Sequence, residues 1–597
     1  MVFLYIFIFI IYFFYQSEFI FGGDSAEFVT TTLTYSIPHP PGYPLYTLLG
    51  IIFNRLFFFL PAIKAINLIS IISHLITIYF IFKILKELKL NIIFIVLSLF
   101  FYSFILTIWL YNVVPEVYAL NNLIISGIIF FGLKFKKTKK TIYRKLFFIF
   151  FGLGLSHHHS IVIFVIPFLI LYKKFFSLDI LFSLIFIPFY LYPVIASYFN
   201  PPIDWENSKS LSGLIRLFTR YSYGTFSAYF GSIPSLINQF TTLISSFILV
   251  IGEFKPFGVF LIFLGVINLI RKNKFFFKYL LITFFLYLLF LYLTNFNLTY
   301  SFSLATFERY LIGLYLILSL YLAFGIDKFY QLIYKLKEKL IDFKTSKLII
   351  PSYYLTLIIF LFINFFNNFK VIYLLKKADH FEKLAKTILE IPEKNSILLL
   401  KSDLTYFPIS YFYYYLKFRS DIKLIFPPML SRDYYKERVK NEFSDINISN
   451  NYSIIDFINI NKDKNIYSEI SYNEDFVPIG LLWKYEIKKT ENHQKLIIKK
   501  NFNFWLKEKS IPIINKDLKK ISFLNSLSEF YQERMFNFVL YLIKIKKYQE
   551  LNNFLNELSN IYNEKDYQYF INLTKEYFQE EKICQKLSIN NRKNFCL

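Results

Sequence analysis

Asn91–Leu110 reads NIIFIVLSLFFYSFILTIWL, twenty consecutive residues without a charged side chain. At 1.5 Å per residue, a helix of about 20 residues matches the ~30 Å hydrocarbon core of a bilayer. The run is continuously apolar rather than alternating, as a strand of about ten residues in a membrane barrel would be. It therefore predicts a transmembrane helix. The same reading recurs on both sides, and eleven spans are expected, at 1–21, 62–82, 91–110, 118–133, 145–156, 158–172, 176–196, 254–270, 279–295, 306–325 and 348–367. Composition agrees: 55% apolar and 18% charged residues over 597 positions exclude the roughly four soluble domains such a length would otherwise allow. The excess of Phe, Ile, Lys, Asn and Tyr matches the bias of an AT-rich genome, so aromatic abundance by itself carries no functional reading.

Basic residues follow alternate spans. Lys83, Lys86 and Lys89 follow the second, residues 134–145 the fourth, Lys173 and Lys174 the sixth, Arg271 to Lys278 the eighth, and Lys328 to Lys347 the tenth. Basic loops stay cytoplasmic. One orientation satisfies all five clusters: a cytoplasmic N-terminus, eleven crossings, and an external or periplasmic C-terminal region on a multi-pass protein of the cell inner (plasma) membrane. These flanking lysines account for the net charge of +25, so nucleic acid is not an expected partner. The first apolar run has no basic n-region and no small-residue cleavage site, and is expected to be a retained helix rather than a signal peptide. Cys584 and Cys596 form neither a framework nor a metal spacing and leave the compartment open.

Three regions are expected. Residues 1–370 form the transmembrane domain. Residues 371–515 form a small external α/β domain, with strands over Ser396–Lys401, Asp421–Phe426, Asn465–Ser471 and Gly480–Ile487 and a helix over Tyr406–Phe418. Residues 516–597 form a helical tail, with Phe536, Leu540, Ile543, Phe554 and Leu558 near helical spacing but no fixed repeat period.

The polar residues gather in the segments assigned to the external side. Asp24 and Glu27, in Gly22-Gly23-Asp24-Ser25-Ala26-Glu27-Phe28, share one face if the segment is helical. Beside a low-dielectric slab either carboxylate can serve as a base, although the spacing also suits an acidic helix cap. His39-Pro40-Pro41-Gly42-Tyr43-Pro44 predicts a rigid turn bounded by His39 and Tyr43, a linker or the edge of a site. The stretch from Tyr46 to Leu60 is amphipathic, with Arg55, and is expected in the interface. Glu116 stands at a helix start, where a negative charge is also favourable on its own. His157, His158 and His159 are consecutive, and on a helix their side chains point about 100° apart, so they cannot converge on one ion; a hydrogen bond to a phosphate or a carboxylate suits them better. Asp204, Trp205 and Arg220 make a polar–aromatic group suited to a sugar or a head group, or to an interfacial rim. Arg309, beside Glu308, is the preferred phosphate contact, because guanidinium matches phosphate geometry and stays charged.

The strings GGDSAEF, HPPGYPLY, PEVYALN, GLGLSHHHS, NPPIDWEN with RLFTRYSYG, and FERYL, in that order, resemble the GT-C superfamily of membrane glycosyltransferases, in the branch related to protein O-mannosyltransferases. The resemblance covers about residues 15–325, and the 395–430 stretch is similar to the external domain of bacterial members. It implies a GT-C catalytic domain over 1–370 that moves a hexose from a polyprenyl-phosphate donor in the bilayer to a hydroxyl of a protein or glycan acceptor on the external face. On this reading Asp24 is the general base of an inverting transfer, with Glu27 as second carboxylate. Arg309, His158, His159 and Arg220 hold the donor phosphate, while His39, Tyr43, Glu116, Asp204 and Trp205 bind acceptor or sugar. The D-x-x-E spacing departs from the adjacent acids common in the superfamily. No cofactor is required; a divalent metal at Asp24 and Glu27 is demanded neither by the spacing nor by the resemblance.

Competing readings are a ligase or polymerase of lipid-linked glycans, a lipid or solute transporter, and a membrane-anchored scaffold. A transporter is expected to carry polar or broken helices near the midplane; here polar residues collect at the span ends. Eleven crossings exceed what an anchor needs.

Overall fold

In hydrocarbon every backbone N–H and C=O must be satisfied within the segment, so the apolar runs fold as helices. The computed structural model describes residues 1–223, 235–339, 343–449, 453–487, 490–508, 510–580 and 583–596. They form two compact units, Met1–Phe21 with Glu27–Ala378, and Gly22–Ala26 with Asp379–Leu597.

In the first unit every expected span is helical. Seven helices among the described residues are each long and apolar enough to cross a membrane: Ala62–Glu87, Tyr118–Thr138, Leu178–Tyr198, Leu236–Lys272, Lys274–Thr294, Ile312–Glu338 and Lys347–Glu390. Val2–Tyr15 and His159–Leu171 are shorter apolar helices, and Thr141–Leu155 carries the segment expected at 145–156. Asn91–Leu110 is not one rod. It is two helices, Ile92–Ser103 and Leu106–Val113, bent by 66°. The break frees backbone groups in an apolar interior, and distant polar side chains take them up. The Glu253 carboxylate accepts the N–H groups of Leu106 and Thr107, each at 3.1 Å, and the Thr107 hydroxyl. The Phe104 carbonyl accepts from the Asn364 and Asn368 amides at 3.1 and 2.9 Å.

Glu253 itself precedes a second break. Leu236–Lys272 starts some twenty residues before the span expected at 254–270, within what reads as loop, because Asn238, Gln239, Thr241, Thr242, Ser245 and Ser246 dilute its hydropathy. It turns at Lys255 (φ 59°), immediately before Pro256, whose ring disfavours helix at the preceding residue.

The second unit holds a five-stranded sheet in the order β2-β1-β3-β5-β4. Its strands are β1 (Ile397–Leu399), β2 (Lys423–Ile425), β3 (Ile466–Ser468), β4 (Phe476–Ile479) and β5 (Leu482–Tyr485). β2, β1 and β3 are parallel, and β5 pairs antiparallel with β3 and with β4. The sequence conceals β4, which carries Pro478; as the edge strand it tolerates a residue without an N–H. Asp403–Ser410, continued by a wider turn over Tyr411–Tyr415, forms the helix between β1 and β2. The tail is helical over Ser522–Lys544, Tyr548–Ile561, Gln568–Glu580 and Ile589–Phe595. Its buried face differs from the expected one: Phe554 and Leu558 are buried, but Leu527, Phe530, Met535, Phe538, Val539 and Leu542 fill the interior in place of Phe536, Leu540 and Ile543. Cys584 and Cys596, far from forming no framework, are bonded to each other.

Candidate functional site

The helix Asp24–Leu33 carries both sequence-predicted carboxylates. Asp24 is its half-buried first residue and belongs to the second unit, where Gly22 and Gly23 lie against the rings of Phe381 and Phe523. Gly23 has φ +65° and a Cβ there would sit 2.6 Å from Phe523, so only glycine fits.

Glu27, in the first unit, is fully buried and saturated. Its Oε1 accepts the His39 backbone N–H at 3.0 Å and the Trp205 indole N–H at 2.7 Å, and its Oε2 meets His39 Nδ1. Trp205 reaches it because residues 203–204 lie alongside the His39 strap. Ile37 donates its N–H to the Ile203 carbonyl at 2.9 Å and bridges to Asp204. Asp204 is occupied in shaping that loop, accepting from the Ser197 hydroxyl at 2.5 Å and the Asn207 N–H at 2.9 Å.

The proline-rich strap turns at Gly42 (φ +84°), whose N–H returns to the His39 carbonyl at 2.8 Å. Tyr43 follows in the left-handed region and opens the helix Pro44–Leu56. Its ring lies 5.2 Å from His39, 6.1 Å from His157 and 6.4 Å from His158, between centroids.

The three histidines diverge. His157 Nε2 lies 2.8 Å from the Val117 carbonyl and so carries the proton, while its buried Nδ1 has no partner. Burial holds its pKa down to about 4, against the pull of that carbonyl, so the ring is neutral at pH 7. His158 Nδ1 accepts from the Ser160 N–H at 3.2 Å and lies 2.7 Å from the Ser160 hydroxyl. The proton therefore sits on Nε2, leaving that N–H as the outward donor. The His158 ring faces Tyr118 at 5.9 Å and Tyr310 at 6.4 Å. His159 packs on Phe218 at 4.9 Å.

Two arginines border the same rings. Arg309 is 1% exposed, and its Nη1 donates to Glu116 Oε1 at 2.9 Å, a pair buried at both ends. Its guanidinium lies 5.9 Å from the Tyr118 ring centroid. Arg220 ends the helix Leu211–Thr219 with φ 55°. Its guanidinium lies over Tyr223 and beside Tyr310 and Tyr43, and it faces His158 and His159. Among the described residues it has no salt bridge, and its buried Nε has no partner. The neighbouring Arg216 lies 3.3 Å from Glu206.

The first unit thus gathers Glu27, His39, Tyr43, Glu116, His158, His159, Asp204, Trp205, Arg220 and Arg309 into one connected set. Tyr118, Tyr310, Tyr223 and Glu206 join it without having been singled out, although all four stand inside the strings that carried the resemblance. Gly224, which closes RLFTRYSYG, lies outside the described residues.

An apolar groove of about 470 Å³, lined by Tyr35, Tyr192, Ile195, Ala196 and Phe199, adjoins the Ile37–Asp204 bridge. Ile37, Ala196 and Leu217 pack together at its inner side, and Leu217 lies one turn before Arg220. A wider cleft of about 770 Å³ in the second unit contains none of the predicted site residues.

Residues 24–178 match the family model described as the protein O-mannosyl-transferase TMEM260 N-terminal domain. The chain is 25% identical to the protein O-mannosyl-transferase tmem260 of Dictyostelium discoideum over 552 residues, covering 81% of this chain and 66% of that protein. It is 28% identical to the Mus musculus protein O-mannosyl-transferase TMEM260 over 243 residues, covering 38% of this chain and 34% of that protein. The chain therefore spans just under two thirds of one curated relative and about a third of the other. Among solved structures, ArnT from Cupriavidus metallidurans in the apo state superposes with a TM-score of 0.50 at 10% identity, over 77% of this chain and 91% of that one. The chain is a multi-pass membrane protein with an ArnT-like, GT-C-type fold, and it is O-mannosyltransferase-like in sequence.

Proposed function

We propose that this protein transfers a hexose, mannose on the strength of its relatives, from a polyprenyl-phosphate donor to a hydroxyl of a protein or glycan acceptor. The observation that carries this reading is Arg220: a half-buried guanidinium with a shielded Nε and no salt bridge among the described residues, beside donor-bearing rings and one helical turn beyond Leu217, which packs at the inner side of an apolar groove. A cation partly withdrawn from water without a counter-charge is costly, and a lipid phosphate supplies the missing charge while its chain lies in the groove.

On this reading Arg220 and the His158 Nε2–H hold the departing phosphate, and Arg309, already bound to Glu116, positions Tyr118 and Tyr310. Glu27, with three donors on it, is a positioning carboxylate that fixes His39 and Trp205. Asp24 then remains as general base. Its carboxylate takes the acceptor hydroxyl proton as that oxygen bonds to the anomeric carbon from the face opposite the phosphate. The C1–O bond to phosphate breaks, its electron pair leaves on the phosphate, and the anomeric centre inverts. The leaving group needs charge stabilisation rather than a proton. The Cys584–Cys596 disulfide supports an oxidising, external location for the second unit.

The test is transfer of radiolabelled mannose from polyprenyl-phosphate-mannose to a serine/threonine-rich acceptor peptide by the purified chain. Asp24→Asn is expected to abolish transfer without loss of folded, membrane-inserted protein. Undiminished turnover by this variant removes Asp24 as base, and no transfer by the wild type to peptide or glycan acceptors removes the reading as a whole.

A further inference from the structure

At the ends of Ala62–Glu87 and Tyr118–Thr138 remote from Glu116, one helix length or ~30 Å away, the first unit opens a second cleft of about 360 Å³. Lys89, Lys134, Lys136, Lys137 and Lys272 line it, drawn from three separate stretches of chain. Two carboxylates answer them. Glu87 pairs with Lys134 and, at 2.7 Å, with Lys137; Asp327 pairs with Lys272 at 2.6 Å. Lys89 and Lys136 have no carboxylate partner among the described residues. The Lys136 ammonium lies 4.5 Å from the centroid of the Phe275 ring instead.

Flanking lysines follow from orientation alone, but that rule does not require them to converge on a cavity with an apolar wall. Here Ile84, Leu133 and Phe275 form the wall below the lysine rim. We propose that this cleft binds the phosphate head group of an anionic glycerophospholipid, with Lys89 and Lys136 supplying the uncompensated charge and the apolar wall receiving the start of the acyl chains. A basic pocket between helices at the membrane surface suits such a head group. A free phosphate satisfies the same lysines but gains nothing from the wall. The site is independent of the transfer reaction, since it lies at the other end of the helices and shares no residue with the set around Arg220.

The full-length protein, purified in detergent, is incubated with phosphatidylglycerol or with phosphatidylcholine of the same acyl chains, and retained lipid is counted by native mass spectrometry. Wild type is expected to keep one phosphatidylglycerol and little phosphatidylcholine. Lys89→Gln with Lys136→Gln lowers retention about thirtyfold, at roughly 1 kcal/mol per lysine at a membrane surface. Lys89→Arg with Lys136→Arg keeps it, as does the control pair Lys140→Gln with Lys335→Gln, both exposed lysines outside the cleft. Equal retention of the two lipids by wild type, an equal loss in the control pair, or displacement of the lipid by millimolar inorganic phosphate overturns the proposal. The wild-type lipid contrast and the arginine pair decide the matter even if the glutamine pair fails to fold.

Discussion

Arg309 lies by Tyr118 and Arg220 by Tyr310, two rings 6.3 Å apart, yet the first is fully buried, the second half-buried, and they differ in what they pair with. Arg309 meets a buried carboxylate at 2.9 Å; Arg220 meets phenol and imidazole rings and has no salt bridge among the described residues. In a low-dielectric setting a paired guanidinium is part of the framework, whereas an unpaired one is a standing demand for an anion. The difference assigns the first to holding the site together and the second to holding a ligand. It also reverses the preference suggested by sequence, where Arg309 stands out beside a span and Arg220 is one basic residue in a loop.

The sharpest way to break this contrast is to remove one member of the pair. Glu116→Gln leaves Arg309 buried without its counter-charge and is expected to cost about 3–5 kcal/mol of stability. Glu116→Leu combined with Arg309→Leu should cost much less, since both charges leave together. Unfolding midpoints of Glu116→Leu, Arg309→Leu and the double give the coupling directly. Equal losses in all three show that the pair is not the framework it is taken for.

Arg220→Gln is the mirror experiment. It removes an uncompensated charge, so the folded protein should be no less stable. Transfer should fall by about 10²–10³-fold, as when one donor to developing negative charge is deleted. Arg220→Lys, which keeps charge but loses the planar fork, should recover part of it. Initial rates at saturating donor, read beside the unfolding midpoint, separate the two arginines: one variant damages stability first, the other turnover first.

How much of this was legible in sequence depends on the distance over which each decision is made. The spans were legible because apolar length is a local property, and the clustering candidates lay in strings that each carried their own signature. The break after Ser103 was not, because the groups that satisfy it, Glu253 and Asn368, lie 147 and 264 residues from their partners. The same holds for Arg309, whose counter-charge is 193 residues away. Glu27 and Asp24 look equivalent in D-x-x-E, and only the arrival of Trp205, 178 residues on, shows that Glu27 is saturated.

That saturation sets a smaller expected effect. Trp205→Phe keeps the ring but strips one donor from a carboxylate with 0% exposure, at a cost of about 1–3 kcal/mol in stability. If Glu27 is a positioning group, the pH dependence of transfer should be unchanged in this variant while its rate falls. A shifted acid limb in the rate profile would transfer the role of base from Asp24 to Glu27.

A further, pH-dependent effect concerns the floor on which both arginine environments rest. His157 packs between Tyr43 and Tyr46, with His158 beside it, and donates its Nε2–H to the Val117 carbonyl next to Glu116. In the folded chain its pKa is about 4, held down by burial; in the unfolded chain it is about 6.5. Between those values the unfolded chain binds the extra proton, so stability falls as pH drops through this window, by at most about 1.4 kcal/mol per unit. Below pH 4 the folded ring is protonated too, and this contribution flattens. His157→Gln retains an N–H for the Val117 carbonyl and carries no titrating group, so it should lose the slope that His157 contributes while keeping its stability at pH 7. An unfolding midpoint measured from pH 7 to pH 4 in both proteins tests this, and identical slopes would place the sensitivity elsewhere among the histidines that face Arg220.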